Sequence, residues 1–257
     1  MPRPPRAPRP DPPRAQTVAD SITAERRHEF GRRLRAWYRA NARDLPWRHS
    51  RDPYHVLVSE LMLQQTQVSR VVPKYHEFLA AFPTLESVAS ARVRRVTEAW
   101  QGLGYYARAR NLHRLARDAA RAGAAAGAPA TLPADPHALR ALPGVGDYTA
   151  GAVASFAYER RAALVDTNVA RVLRRVFAPG TDPTTGAGKR SLWAIARTLL
   201  PRTGRATYTH NQALMELGAL ICTARVAHCA RCPVRGVCDS GRVGEVLLTR
   251  ARRRSPG

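Results

Sequence analysis

Residues 142–168 read LPGVGDYTAGAVASFAYERRAALVDTN, which parses as a short helix, a glycine turn, a second helix and a lone carboxylate. Gly144 and Gly146 follow Pro143 and bracket Val145. Glycine tolerates φ > 0 and lets another backbone come close, while the first peptide N–H groups of the following helix have no partner within it. Such a turn attracts phosphate through those N–H groups and the helix dipole, and Val145 can wedge the two helices together. Asp166 comes one helix and one connection later, so a phosphate grip and an acid can share a cleft. Alone, Gly-x-Gly after a proline is more often an ordinary helix–helix turn. The rest of the chain decides.

With 257 residues and 44% hydrophobic content, the chain can build a real core as one large domain or two small ones. Lys+Arg number 42 against 19 Asp+Glu, a formal charge of +23, which points to a polyanionic partner and first to nucleic acid. All but Lys74 and Lys189 of these cations are arginine, a bias expected of a GC-rich genome; it does not explain the excess of positive charge. No apolar run approaches the ~20 residues of a membrane helix. The first twenty residues lack a signal-type apolar region and serine, so residues 1–20 are expected to be a disordered basic tail on a cytoplasmic, nucleoid-associated monomer with no membrane partner.

Residues 22–42 carry Phe30, Leu34, Trp37 and Tyr38 at helical spacing. Arg43, Asp44, Leu45, Pro46 and Trp47 break that helix and either cap the core or face a ligand. Residues 54–67 form the next expected helix, with Glu60 among Val58, Leu61, Met62 and Leu63. Desolvation there would favour the neutral acid and suit a general acid, though an exposed or paired carboxylate is the plainer reading. Glu60, Leu63, Gln64 and Gln67 would share one helix face, and the amides of Gln64 and Gln65 suit base edges. Further helices are expected over 71–82, 85–89 and 92–100. Then Gly102, Leu103, Gly104, Tyr105 and Tyr106 open a basic helix. Its two tyrosines either stack between bases, with Arg108 and Arg110 meeting phosphates, or pack in the core. A loop at 123–136 precedes the hairpin, and helical patterns return over 169–177, 190–200 and 209–221. No period-2 strand or internal repeat appears, so the class is all-α.

All four cysteines, Cys222, Cys229, Cys232 and Cys238, lie near the C-terminal end. Without an export signal they read as metal ligands rather than disulfides. Uneven spacing around a single CxxC fits a cubane iron–sulfur cluster better than zinc, which usually takes two such pairs. Arg225, Arg231 and Arg235 could set positive charge against DNA beside it.

Together SELMLQQTQV, GLGYYARARNLH, LPGVGDYTAGAV, VDTNVARVL, NQALMELGALIC and the cysteine spacing resemble the MutY-type adenine DNA glycosylases of the endonuclease III-like, helix-hairpin-helix superfamily. The likeness runs from about Arg43 to Cys238. It implies a six-helix lobe with the hairpin over 49–158 and a cluster lobe from 21–48 plus 159–238, with 239–257 a basic tail. It also implies that Glu60 is the general acid, Asp166 an ionised carboxylate facing the anomeric carbon, Asn168 an orienting group, and Tyr148 a hydrogen-bonding neighbour of Asp166. Arg43, Trp47, Leu63 and Gln212 match base-pocket positions; Gln64 joins the DNA-facing residues, and Gln65 and Tyr105 match those that fill and wedge the duplex. Gly144, Val145 and Gly146 would hold a phosphate through a monovalent cation. The cysteines would carry a 4Fe-4S cluster, and the substrate would be double-stranded DNA with adenine opposite 8-oxoguanine or guanine. Tyr148 stands where strand-cleaving relatives have lysine, implying hydrolysis alone. Two departures stand out. Thr167 follows Asp166 where many members have glycine, and only a short stretch follows Cys238, where many carry a domain that reads 8-oxoguanine. The rivals are a thymine or uracil mismatch glycosylase and a non-catalytic cluster protein that binds DNA.

Overall fold

Caps set where the helices begin. In the computed structural model, which describes residues 18–242, the Thr23 hydroxyl accepts from the Arg26 N–H to open α1 (Ala24–Asn41). Asp52 caps α2 (Pro53–Leu63), whose first residue is a proline that gives up no needed donor. Asp135 and Pro136 repeat the device at α7 (Pro136–Arg140). Between them lie α3 (Val68–Ala81), α4 (Leu85–Ser90), α5 (Val93–Ala99) and α6 (Ala107–Ala125). The hairpin's second helix is α8 (Asp147–Phe156), followed by α9 (Thr167–Phe177), α10 (Gly186–Thr198), α11 (Gly204–Leu220) and the short α12 (Asp239–Arg242). Among the described residues the only β feature is an isolated bridge between Cys222 and Ala227, so the fold is all-α as expected. No helix among them is long and apolar enough to cross a membrane.

Two helices are buried nearly all round and therefore sit at the centre. In α2 every residue from Val56 to Met62 is buried, and in α8 every residue from Thr149 to Phe156. They pack on each other, α2 also on α3 and α8 on α7 and α11. α4 and α5 pack on α6, whereas α1 packs on α11, and α9 on α10, α11 and α12. Close approach demands glycine at several places, two of which bear on the site. Gly144 turns at φ +77°, where a Cβ would also strike Asn111 at 2.6 Å, and a Cβ on Gly218 of α11 would meet that of Asn168 at 2.7 Å.

Three expectations change. α2 ends at Leu63, not Gln67, because Gln64 leaves the helix and Gln65 turns to φ 57°; Glu60, Leu63, Gln64 and Gln67 do not share a helical face. Arg108 does not face phosphate: it is buried, and its guanidinium donates to main-chain carbonyls. Order also extends beyond the expected tails, since Ala19 is buried and Asp239 begins α12, where it accepts from Arg26 at 2.7 Å. The remainder of both tails lies outside the described residues.

His210 lies where α11 meets α1, fully buried, with neither ring nitrogen hydrogen-bonded and its ring edge-on to Phe30. Burial holds its pKa down to about 3. The unfolded chain therefore takes up this proton first as pH falls through ~6.5, and folding stability drops by about 2 kcal/mol by pH 5 from this residue. In urea unfolding at pH 7.5 and pH 5, the wild type should lose that much stability relative to His210→Leu, in which every other titrating group is unchanged; an equal acid response in both would relieve His210 of the role.

Candidate active site

Burial and donors treat the two acids differently. Glu60 sits on α2 with 3% of its surface exposed. Its one side-chain hydrogen bond comes from the Tyr148 hydroxyl on α8, at 2.6 Å to Oε2. Burial dominates and pushes its pKa up to about 7; the Tyr148 bond opposes this, the charge of Asp166 adds to it, and Arg48 subtracts. Tyr148 is itself raised well above the usual phenol range, burial first and the two acids after it.

Asp166 is the N-cap of α9, with Oδ1 accepting from the Val169 N–H at 2.6 Å and Oδ2 from the Asn168 amide at 3.1 Å. These donors and Arg171 favour the carboxylate, yet burial outweighs them and its pKa is raised. The helix N-terminus alone would have suggested the opposite direction. Still, Asp166 accepts from Val169 and Asn168 while Glu60 accepts from Tyr148 alone, so a single proton shared by the cleft belongs on Glu60. Tyr148 bonds Glu60 because α8 packs directly on α2, and both groups lie close enough to Asp166 to feel its charge.

The Arg43–Arg48 segment is tied to α11 by a network that sequence reading missed. Glu216, 1% exposed, accepts from the Arg43 backbone and guanidinium at 2.9 and 2.8 Å and from Arg48 Nη2 at 2.8 Å. Burial raises this acid, but the two arginines more than offset it and hold it at about 2. Arg48 also donates to the Gln212 side chain at 3.2 Å and to the Arg43 carbonyl at 2.7 Å. Arg43 and Gln212 are thus brought together through Arg48 and Glu216. A carboxylate inside the apolar run NQALMELGAL was the available signal, the same one that marked Glu60. Trp47 is buried edge-on to Tyr75 at 5.7 Å, and Leu63 is half-buried at the end of α2.

On the outer side, Gln65 is exposed and Tyr105 is 61% exposed, so the core alternative for this tyrosine does not hold. Gln64 reaches back to Thr149 at 3.4 Å. In the hairpin turn Gly144 and Gly146 are exposed and Val145 is buried between the helices. No side chain caps the first turn of α8, which leaves its N–H groups available to a ligand.

The four cysteines are free thiols that line one cavity with Val172, Leu217 and Val234. Among the described residues no three His, Cys, Asp or Glu side chains meet as ligands of one metal ion do. Burial pushes the Cys232 thiol up to about 11, and the other cysteines add to the rise. Four thiolates so placed repel one another unless cationic metal joins them, which is the chemistry of an iron–sulfur cluster. Arg175 donates to Cys222 Sγ at 3.3 Å, and Arg171 to the Cys222 carbonyl at 2.7 Å and to Asn168 at 2.7 Å. A polar chain thereby runs from Cys222 through Arg171 and Asn168 to Asp166. Arg225, Arg231 and Arg235 are exposed around the cysteine loop.

Residues 58–198 match the model of the HhH-GPD superfamily base excision DNA repair proteins. An adenine DNA glycosylase of Mycobacterium tuberculosis (strain CDC 1551 / Oshkosh) is 42% identical over 83% of this chain and 68% of its own. The rat adenine DNA glycosylase is also 42% identical, over 86% of this chain and 43% of its own. The chain spans less than half the length of that relative and of its human and mouse counterparts. A thermostable thymine-DNA glycosylase superposes with a TM-score of 0.76 at 30% identity, over 87% of this chain and all of the other. Endonuclease III, trapped as a covalent intermediate with DNA, superposes at 0.69 with 21% identity over 86% of this chain and 98% of its own, a likeness of fold.

Proposed function

This chain belongs to the HhH-GPD superfamily of base excision DNA repair proteins, and we propose that it is a monofunctional adenine DNA glycosylase acting on duplex DNA with adenine opposite 8-oxoguanine or guanine. The observation that carries this reading is the pairing of a buried, proton-holding Glu60 with the N-capping Asp166, whose charge reaches Glu60. Adenine leaves the stack at a cost of a few kcal/mol and enters a pocket formed by Arg43, Trp47, Leu63 and Gln212. Glu60 gives its proton to adenine N7 as the N-glycosidic bond breaks, so the bond's electron pair departs with a neutral base. Asp166, oriented by Asn168, stabilises the cationic sugar or bonds to it until water adds at the anomeric carbon. One water proton then restores Glu60.

Gln64, Gln65 and Tyr105 would meet the opened duplex, while Gly144, Val145 and Gly146 would hold a phosphate, with a monovalent cation bridging. Cys222, Cys229, Cys232 and Cys238 would hold a 4Fe-4S cluster, which supplies a rigid, cationic-metal centre for the loop around it. We place the hairpin lobe at 49–158 and the cluster lobe at 21–48 plus 159–238, in a monomeric, cytoplasmic, nucleoid-associated protein.

Tyr148 offers no amine for a Schiff base, and the only lysines are Lys74, paired with Glu77, and Lys189 on α10. Base release without strand cleavage follows. The 30% identity to a thymine-DNA glycosylase keeps one other base in view. The test is single-turnover release from duplexes with A opposite 8-oxoguanine, A opposite G, A opposite T and T opposite G, each with and without alkali. Alkali-dependent cleavage of the first two supports the proposal. Release of T alone moves the protein to thymine, and nicking without alkali at the rate of base release refutes the monofunctional assignment.

A further inference from the structure

Gln65 at φ 57° and Tyr105 at φ 48° are two of the three non-glycine residues with positive φ among those described. A side chain in that region is disfavoured and persists only where its surroundings impose it. One side chain reaches both turns. Arg108 Nη1 donates to the carbonyls of Leu61, Met62 and Gln64 at 2.5, 3.2 and 2.7 Å, closing the C-terminal end of α2. Its Nη2 donates to those of Leu103 and Gly104, both at 3.0 Å, closing the turn before Tyr105. The guanidinium carbon lies 5.5 Å from the Tyr105 ring centroid. Thr66 adds a weaker link, its hydroxyl near the carbonyls of Gln64 and Leu103. Among the described residues no carboxylate pairs with Arg108; the charge is offset by carbonyl dipoles, three of them at a helix C-terminus. The planar fork holds its two nitrogens at fixed separation, which lysine cannot do. The spacing of the two turns is therefore set chiefly by Arg108, with Thr66 as the weaker second tie.

We propose that Arg108 is a positioning residue for opening the base stack: by clamping the two turns together it presents Gln65 and Tyr105 as one rigid wedge. The inference rests on reading Gln65 and Tyr105 as the residues that enter the duplex. Arg108 touches neither the base nor the reacting bond, so its loss should slow the opening of a stacked duplex and spare the chemistry on a base already unstacked.

The test compares wild type, Arg108→Lys and Arg108→Met, as full chains, on two substrates: an A:G duplex and the same adenine in an unpaired three-nucleotide loop. Arg108→Met should lose about tenfold or more in single-turnover rate on the duplex and about twofold or less on the loop, with Arg108→Lys between. Equal losses on both substrates would mean a merely structural role, and an undiminished duplex rate would mean none; either overturns the proposal. If Arg108→Met fails to fold, Arg108→Lys carries the comparison. A duplex with 2-aminopurine at the target reports unstacking without base release. If the wild type releases no adenine yet raises this fluorescence only when Arg108 is present, the glycosylase reading fails and the wedge stands. A rise that ignores Arg108, or no rise, removes the wedge.

Discussion

Glu60→Gln releases adenine ~1,000-fold or more slowly than the wild type at pH 7 under single-turnover conditions, because the amide cannot deliver the proton that makes the base a neutral leaving group. The wild-type rate should fall as pH rises through about 7, where burial has placed the Glu60 pKa. The active form is the protonated one, so the loss lies on the alkaline side. Stability should move the other way. The unfolded chain ionises this acid near 4.5 and the folded chain near 7, so the folded state is the tighter proton binder. Stability is therefore lost as pH climbs from 4.5 to 7 and stays lost above it. Glutamine carries no such penalty, still accepts from Tyr148, and should make the protein more stable than wild type at pH 8 by roughly 1–3 kcal/mol. Denaturant melts at pH 8 and pH 4.5 separate the claims: the two proteins should diverge at the higher pH and converge at the lower. A variant both inactive and less stable at pH 8 would mean that the fold stabilises the Glu60 carboxylate and does not raise its pKa.

The sequence signals that survived contact with the structure are local ones. The position of Asp166 at the head of α9 was legible because the capping oxygen and its N–H partner lie within three residues, and the Gly144 turn because only glycine fits there. The caps at Thr23, Asp52 and Asp135 are equally local, but sequence reading did not single them out. Nonlocal ties were not legible. α2 ends at Leu63 because Arg108, 44 to 47 residues away, takes its final carbonyls. No periodicity within α2 records that. Arg108 itself looks like any surface arginine in a basic helix, and its burial depends on two turns meeting across the fold. Glu216 was hidden likewise, since its partners Arg43 and Arg48 lie more than 160 positions earlier. The partner Tyr148 takes was not legible for a related reason: it depends on how α8 packs on α2.

Asp166→Asn should also abolish base release, by ~1,000-fold or more, while leaving the fold intact. The two effects separate because Asp166 does two jobs with two different properties. As N-cap it needs only an acceptor oxygen for the Val169 N–H, and asparagine supplies one about as well as aspartate. Unfolding free energy should therefore change by less than about 1 kcal/mol. Towards the sugar it needs negative charge, which the amide lacks. Duplex binding should persist or tighten, since the substitution removes an anion that faces a polyanion. Arg171→Leu tests the same carboxylate from behind. It leaves the charge in place but cuts the link from Cys222 through Asn168, so the carboxylate is less well aimed and release should slow by only about tenfold. Electrophoretic binding, urea melts and single-turnover rates on the three proteins give a definite ordering: wild type, then Arg171→Leu, then Asp166→Asn in rate, with Asp166→Asn still folded and bound. Unchanged release by Asp166→Asn would take this residue out of the chemistry and leave it as a helix cap alone.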